Sequence, residues 1–496
     1  MTLGIPTIGK ESTSIEYPQW EGEPPRDEFF WLTLINKATL ILNSRSGLIS
    51  KSDAKKWSEA LKEIEKEAGT SGGHRPKTVL HFEPKLVEKC GWEVTALHAG
   101  RSSQDMHCTF QKAMLRDEML KISGALTEAI ENLLHLCQEN RDTYLPAYTN
   151  GVAAQPETLA HIWLAHLAGL ERDLESIEKC YEKHNYCPMG ATVLGGTSWP
   201  LDRKGMAQYL GFEAPVYNTY DATQIEATDA PLDMSLALIS PMLHIVQFIQ
   251  DIMTQYAQPE PWILVGSTYA SSAMPQKRNP GSLIDVRRDA NTVLGNLMSV
   301  LFRTHNLTPG MYDAKDSLLN STMLKEATYV LTSFASVLKL LKIDSARSRK
   351  ELDRDWTATQ ELADLLMRKY KVPFRIGHRI ASHLTTFGRQ QHYKPSSFPY
   401  AKICEIYESV LAENGLTGVP QKFPMNEEEF RNALDPVAIV HRRNVLGACQ
   451  PSEVNQMIEM AEKALQKHKQ WKMVHQDALR NALSHCEKDF DRIMEG

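Results

Sequence analysis

The sequence predicts an all-α protein whose centre is a bundle of long helices. Apolar residues recur three or four positions apart over long stretches, which is the spacing of one helical face. No stretch shows the sustained alternation typical of a β-strand, and no strand-then-helix order suggests a parallel sheet. The long helical stretches, joined by short connections, span residues 108–140, 159–181, 230–256, 282–303 and 317–342. A bundle buries such faces efficiently.

Composition sets the outer limits of the interpretation. At 496 residues the chain is too long for one ordinary core. A hydrophobic content of 42% excludes wholesale disorder, and a net charge of −6 with dispersed Lys and Arg excludes a nucleic-acid partner. The eight cysteines follow no metal-binding spacing, and no apolar signal segment precedes them. We therefore expect free thiols and a cytoplasmic location.

The regions on either side of the bundle are also predicted to be helical. The first 25 residues contain four prolines and predict an extended arm. Residues 51–68 predict a solvent-facing helix with Ser52 as N-cap and a stop at Gly69. A short helix is expected around 84–89, and the last thirty residues have helical spacing.

The most apolar stretch, residues 230–253, is predicted to be a helix buried in protein. It contains Pro231, Asp233, Pro241 and His244, which make a membrane span costly. We therefore expect no membrane partner. Because this helix is apolar almost all round, it needs more covering than one chain provides.

Residues 264–288 hold the most informative stretch of the sequence. Ser271 and Ser272 supply adjacent hydroxyls, Lys277 supplies a compact cation, and Asn279 supplies an amide donor. A helix is predicted to begin directly after this loop, and a helix N-terminus favours negative charge. From composition alone, an exposed loop with solvated basic residues is the simpler interpretation. The order of the residues argues against it.

The stretch ASSAMPQKRNP, residues 270–280, resembles the signature loop GSSxMPxKxNP of the fumarase/aspartase superfamily. Ala270 stands where that family has glycine, and every other fixed position is kept. Members of this superfamily cleave a C–N or C–O bond beta to a carboxylate and usually release fumarate. The resemblance implies the same chemistry here.

Other segments resemble argininosuccinate lyase in particular. Residues 99–105, AGRSSQD, are similar to its TGRSRNDQ motif, and residues 145–156 are similar to MPGYTHLQRAQP. The likeness extends over about residues 80–465. It includes a Gly-rich turn that leads to the Asp202-Arg203 pair, and the segments 358–375 and 434–443. It implies a homotetramer whose sites are shared between subunits. Three domains are predicted: residues 1–107, residues 108–357 and residues 358–496. The second is the bundle that carries the signature loop.

By this resemblance the protein is a C–N lyase that eliminates an amine from an N-substituted aspartate. Ser271 would be the base that removes the proton next to a carboxylate, and Ser272 takes that role if the neighbouring hydroxyl acts instead. The amine half is either that of argininosuccinate or a related one. The resemblance implies a set of substrate-binding residues: Arg101, Ser102, Gln104, Thr149, Asn150, Gln155, Arg203, Ser272, Met274, Lys277, Asn279 and Tyr312.

The sequence departs from the family pattern where the leaving amine is handled. Asn150 stands in place of the family histidine, and Ile284 in place of the glutamate that partners it. Asn cannot shuttle a proton at neutral pH. The segment after Tyr312 lacks the glutamine and the second lysine of the family. A different amine half is therefore expected, and a non-catalytic homologue of the same fold is the competing hypothesis.

No metal ion and no organic cofactor is expected. His161 and His166 lie five positions apart, which does not place two ligands on one helical face, and the other histidines are scattered. A core or solvated role is the default expectation for each.

Overall fold

A computed structural model describes residues 25–354 and 356–495, and the chain is predominantly helical there. The predicted N-terminal arm lies outside the described residues except for Pro25. The first half contains the helices α1 (Glu28–Arg45), α2 (Lys51–Ala68), α3 (Val79–Cys90), α4 (Ser103–Glu139), α5 (Leu159–His184), α6 (Arg203–Tyr209) and α7 (Glu226–Tyr256). The second half contains α8 (Gly281–Thr304), α9 (Ser317–Leu338), α10 (Ser345–Leu352), α11 (Thr359–Tyr370), α12 (Phe374–Gln390), α13 (Tyr400–Glu413), α14 (Glu427–Ala433), α15 (Pro436–Arg442) and α16 (Pro451–Glu495).

The five long helices α4, α5, α7, α8 and α9 pack side by side as the central bundle. Each predicted helical stretch corresponds to one of them, with ends shifted by a few residues. The chain reverses direction from each helix to the next. The connections before α4, between α5 and α7 and between α8 and α9 therefore lie at one end of the bundle. The connections between α4 and α5 and between α7 and α8 lie at the other.

The structure contains strands that the sequence analysis did not predict. The strands β1 (Tyr144–Thr149) and β2 (Val152–Thr158) form an antiparallel hairpin between α4 and α5. The remaining strands are two or three residues long and pair as β3 (Tyr186–Cys187) with β4 (Ala214–Pro215), β5 (Ile263–Val265) with β8 (Leu341–Ile343), and β6 (Tyr269–Ala270) with β7 (Arg278–Asn279). All of them lie at the ends of the bundle, where they position connections.

Helix α2 has the bounds expected from the sequence, but its N-cap differs. Ser50, not Ser52, accepts a hydrogen bond from the backbone N–H of Asp53 at 3.1 Å. Ser52 lies inside the first turn, where its hydroxyl instead approaches that of Ser50. The helix ends at Gly69, as predicted.

Two separate hydrophobic clusters account for most of the buried apolar residues. The larger joins the N-terminal helices, the central bundle and α16, and the smaller lies between Trp356 and Leu434. Helix α16, 45 residues long, therefore returns from the C-terminal region to pack against α1, α2, α4 and α5. The division into three domains remains a prediction.

A buried lysine ties α16 to the N-terminal helices. The side chain of Lys37 is only 1% exposed, and its Nζ donates to Glu65 of α2 at 2.9 Å and to Glu487 of α16 at 2.7 Å. We expect Lys37→Met to lower the free energy of unfolding by about 2–3 kcal/mol, because it leaves two carboxylates facing each other. Thermal denaturation measures the change. Lys62→Met is the matched control, since the exposed Lys62 lies farther from the same carboxylates; equal losses would contradict this expectation.

The segment Asp221–Tyr256, which contains α7, is long and apolar enough to cross a membrane by length and composition alone. A core helix of a bundle meets the same criterion. This helix packs against α5 and α8, and its His244 Nδ1 lies 2.6 Å from Asp173 Oδ2 of α5. We interpret it as a helix of the bundle.

Candidate active site

The signature loop folds back on itself between β6 and β7. The Oγ of Ser271 accepts hydrogen bonds from the backbone N–H groups of Met274 at 3.0 Å and Ala273 at 3.3 Å. The backbone N–H of Lys277 donates to the carbonyl of Met274 and closes the turn. Two donors therefore point at one hydroxyl oxygen, an arrangement that stabilises negative charge on it.

The other predicted residues of this loop face outward from the chain. Ser272, Met274 and Lys277 are exposed, and Asn279 is half-buried with its Nδ2 3.4 Å from the carbonyl oxygen of Tyr269. Gly281, the first residue of α8, lies under the same tyrosine, and a Cβ there would meet the ring at 2.7 Å. The loop thus presents its polar groups away from its own bundle.

A second group of predicted residues lies at the N-terminus of α4. Ser102 is its N-cap: the Oγ accepts the backbone N–H of Gln104 at 3.0 Å, and Asp105 completes a capping box. Asp105 is buried and also accepts the backbone N–H groups of Gly190 and Thr192 from the Gly-rich turn. Burial raises the pKa of Asp105, and these backbone hydrogen bonds oppose the rise.

Two predicted arginines line one small cavity beside this helix end. Arg101 donates to Asn36 and Thr39 of α1, and burial lowers its pKa to about 10. Arg203 donates to the carbonyls of Met189 and Val216. Both guanidinium groups are thus committed to protein partners, and a direct contact with substrate stays a prediction for each.

Tyr312 belongs to the same end of the bundle, although it comes from the connection between α8 and α9. Its side chain is 55% exposed, and its ring centroid is 5.7 Å from that of His107 on α4. Burial, followed by the charge of Asp316, raises the pKa of its hydroxyl.

The third group lies on the β1–β2 hairpin at the opposite end of the bundle. Thr149 and Asn150 are exposed at its tip. Asn150 and Gly151 are the two residues of the turn, with φ of +51° and +75°. Gln155 is tied to the C-terminal region: its Nε2 donates to Gln360 and its Oε1 accepts from Arg443, both at 3.1 Å.

These groups cannot meet within one chain. Helix α4 separates Ser102 at its start from the hairpin that follows it, and its 37 residues span roughly 55 Å. The signature loop lies at the hairpin end, because it connects α7 to α8. A single chain therefore brings Arg101, Ser102, Gln104, Arg203 and Tyr312 to one end, and carries Ser271 and Lys277 at the other.

Comparisons with known proteins show which family the chain resembles. A protein-family model described as a lyase matches residues 41–295. Argininosuccinate lyase from Geobacillus sp. strain WCH70 is 30% identical over 77% of this chain and 80% of its own. The argininosuccinate lyase of Methanothrix thermoacetophila is 28% identical over 89% of both chains.

The chain belongs to this lyase family. The recognition of an argininosuccinate lyase-like member of the fumarase/aspartase superfamily is therefore confirmed. Among solved structures, EDDS lyase in complex with formate matches with a TM-score of 0.84 at 24% identity, over 94% of this chain and 92% of its own. A class II fumarase from Schistosoma mansoni matches with a TM-score of 0.66 at 15% identity, over 85% of this chain and 92% of its own. These likenesses confirm the all-α fold.

The two departures from the family pattern, Asn150 and Ile284, lie in different local settings. Asn150 sits where a two-residue hairpin needs positive φ at both positions, which Asn-Gly supplies better than most pairs. Ile284 is a half-buried residue of the first turn of α8. Neither side chain can carry a proton, so a His–Glu relay is absent from both positions.

The predicted site residues do not include His107 or Lys315, which the structure places beside Tyr312. Lys315 is 1% exposed, and its Nζ donates to the carbonyl of Thr223 at 2.8 Å. That carbonyl belongs to a π turn, Asp221–Ile225, ahead of α7. The sequence could have indicated His107 as a site residue, because it lies one helical turn after Gln104. The inward packing of Lys315 could not be predicted from the sequence.

Proposed function

We propose that this member of the lyase family catalyses the reversible β-elimination of an N-substituted aspartate, giving fumarate and an amine. The observation that carries the proposal is the pair of backbone N–H groups, from Ala273 and Met274, that donate to the Ser271 hydroxyl. A serine acts as a base only as an alkoxide, and fixed donors lower the cost of that charge. They favour Ser271 over Ser272 as the base.

In this reaction Ser271 takes the proton from the carbon next to one carboxylate of the succinyl half. The electron pair left behind passes into that carboxylate and forms a dianionic aci-carboxylate. Ser102, Thr149, Lys277 and Asn279 would grip the two carboxylates and stabilise the added charge, Lys277 by its ammonium and the others by hydrogen bonds. Collapse of the intermediate expels the amine and leaves fumarate.

Such a site requires several chains, and we propose a homotetramer in which three subunits contribute to each site. Large apolar side chains remain exposed along the bundle helices α7, α8 and α9: Leu236, Leu243, Met298, Leu301, Phe302, Leu318 and Leu319. Bundles of neighbouring chains packed on these faces bury them. Antiparallel packing also brings the loop of one chain to the α4 N-terminus of another.

The amine half is proposed to contact Tyr312. The remaining predicted contacts with the substrate come from Gln104, Asn150, Gln155 and Arg203. No proton relay equivalent to the family His–Glu pair exists at Asn150 and Ile284. If the amine nitrogen of the bound adduct is already protonated, cleavage of the C–N bond releases a neutral amine. No acid is then needed to protonate the leaving group. The substrate is therefore argininosuccinate or, more consistent with this loss, a related adduct of a basic amine. We place the protein in the cytoplasm, in keeping with its eight free cysteines.

Ultraviolet absorbance of fumarate tests the proposal. The wild-type protein is incubated with argininosuccinate, and separately with fumarate and a panel of amines that includes L-arginine, 1,3-diaminopropane and 1-aminobutane. We expect fumarate to appear in the first assay or to be consumed with at least one amine. No change in any mixture would contradict the proposal and favour a non-catalytic homologue.

A further inference from the structure

His107 lies on α4, one helical turn after Gln104 and against Tyr312. Its ring centroid is 5.7 Å from that of Tyr312 and 4.8 Å from that of Phe110. Ser102 and Gln104 belong to the proposed substrate-binding set, and Tyr312 to the proposed pocket for the amine half. The imidazole of His107 therefore stands between the two parts of the proposed site.

One hydrogen bond fixes the tautomer of this imidazole. Its Nε2 is 3.3 Å from the backbone carbonyl oxygen of Lys315, which can only accept, so Nε2 carries the proton. In the neutral ring, Nδ1 then keeps its lone pair. Within residues 25–354 and 356–495, Nδ1 of His107 has no hydrogen-bond partner, and the side chain is half-buried. An acceptor is thus left available next to Tyr312.

Burial favours the neutral form of the His107 imidazole. Burial lowers its pKa from the usual 6.5, and the nearby charge of Lys315 adds to the lowering. The hydrogen bond to the Lys315 carbonyl and the charges of Asp316 and Glu28 oppose it. The net pKa is lowered, so Nδ1 accepts hydrogen bonds under ordinary assay conditions.

The surroundings of Nδ1 favour a cation. The exposed ring of Tyr312 offers an aromatic face, and Asp316 lies close enough to raise the pKa of that tyrosine. The ammonium of Lys315 is turned inward, onto the carbonyl of Thr223 and the side-chain oxygen of Gln224. An acceptor nitrogen, an aromatic face and a nearby carboxylate all attract a protonated amine.

We propose that His107 determines the specificity for the amine half of the substrate, accepting at Nδ1 a hydrogen bond from a cationic N–H group of that half. The substrate class is then an aspartate adduct of an amine that carries a second cationic nitrogen, such as a diamine or a guanidino amino acid. This inference rests on the proposed lyase function. It assigns His107 a role in binding and gives it no part in removing the proton.

The experiment measures amine addition to fumarate with a matched pair of amines, 1,3-diaminopropane and 1-aminobutane, which differ only in a terminal ammonium or methyl group. We expect the wild-type protein to have a lower KM for the diamine. His107→Phe keeps a ring but removes the acceptor. It should raise the KM for the diamine about tenfold, a loss of roughly 1.4 kcal/mol, and should leave the KM for fumarate unchanged.

Two further variants separate this role from a structural one. His107→Gln keeps an acceptor oxygen but does not titrate. In the wild-type protein, the ratio of the KM for the diamine to the KM for 1-aminobutane should rise as the pH falls through the pKa of His107, because the imidazolium repels the terminal ammonium. This ratio cancels the protonation of the attacking amine, and it should stay flat for His107→Gln. His135→Phe changes an exposed histidine at the far end of α4. It should alter neither the preference for the diamine nor the pH dependence of that preference.

The outcomes distinguish the inference from the function on which it rests. If the wild-type protein neither releases fumarate from argininosuccinate nor consumes fumarate with any amine of the panel, the proposed function fails. If it consumes fumarate but does not prefer the diamine, the specificity inference alone fails. The specificity inference also fails if His107→Phe keeps both the preference for the diamine and the wild-type pH dependence.

Discussion

Ser271→Ala should reduce fumarate release by about 10²- to 10⁴-fold, the range that a positioned base contributes to a proton transfer. Alanine removes the oxygen to which Ala273 and Met274 donate, so no alkoxide forms at that point. The loop turn is also held by the backbone hydrogen bond from Lys277 to Met274, so the fold should remain intact. Steady-state assays, with circular dichroism for the fold, measure both.

Ser272→Ala is the matched control for this prediction. Ser272 is the adjacent hydroxyl, is exposed, and lacks the pair of backbone donors that Ser271 has. We expect this variant to keep clearly more activity than Ser271→Ala. If Ser271→Ala turns over at a near-normal rate and Ser272→Ala does not, the roles of the two hydroxyls are reversed.

Mixing two inactive variants should restore activity. Ser271→Ala disables the signature loop, and Thr149→Val disables the hairpin tip, which another subunit contributes in the proposed tetramer. When the two chains are unfolded together and refolded at equal amounts, a site has a one-in-two chance of receiving each intact segment. About a quarter of the sites should then be wild type. Activity after refolding measures the recovery.

A mixture of Ser271→Ala with Lys277→Met is the control for this prediction. Both changes lie in the same loop, so every site receives a loop with one defect or the other. We expect no recovery in this mixture. Equal recovery in the two mixtures, or none in either, would contradict sites shared between chains.

The long helices could be predicted because each buries one face along its whole length. Leu115, Met119, Ile122 and Leu126 of α4 repeat at helical spacing and are all buried. The β1–β2 hairpin was not predicted, because each of its strands contains a proline and neither shows a sustained alternation of apolar and polar residues. Yet Asn150-Gly151 is a dipeptide with a strong preference for a two-residue turn, and that signal was available in the sequence.

The fate of α16 could not be predicted in the same way. The spacing of its apolar residues predicts a helix, but the residues that pack against it are distant in the sequence. Lys37 of α1, for example, binds Glu487 of α16 from 450 positions away. The spacing of apolar residues shows which face of a helix is buried, but it does not identify the residues that pack against that face.

The candidate site shows the same division. Ser271, Lys277 and Asn279 are fixed in order within one loop, so the motif alone identifies them. His107 belongs to no motif, and only its contact with Tyr312 draws attention to it. The roughly 55 Å between Ser102 and the loop end of the bundle likewise appears only when the helices are built. Distances across a fold depend on packing, which no short pattern encodes.

A crystal structure of the assembled protein with fumarate bound tests the central claim most directly. We predict that Ser271 Oγ lies about 3–3.5 Å from an olefinic carbon of fumarate. Lys277 of the same chain should hold one carboxylate, and Thr149 and Ser102 should come from two other chains. Fumarate bound in a cleft from which Ser271 and Lys277 both face away would contradict the account.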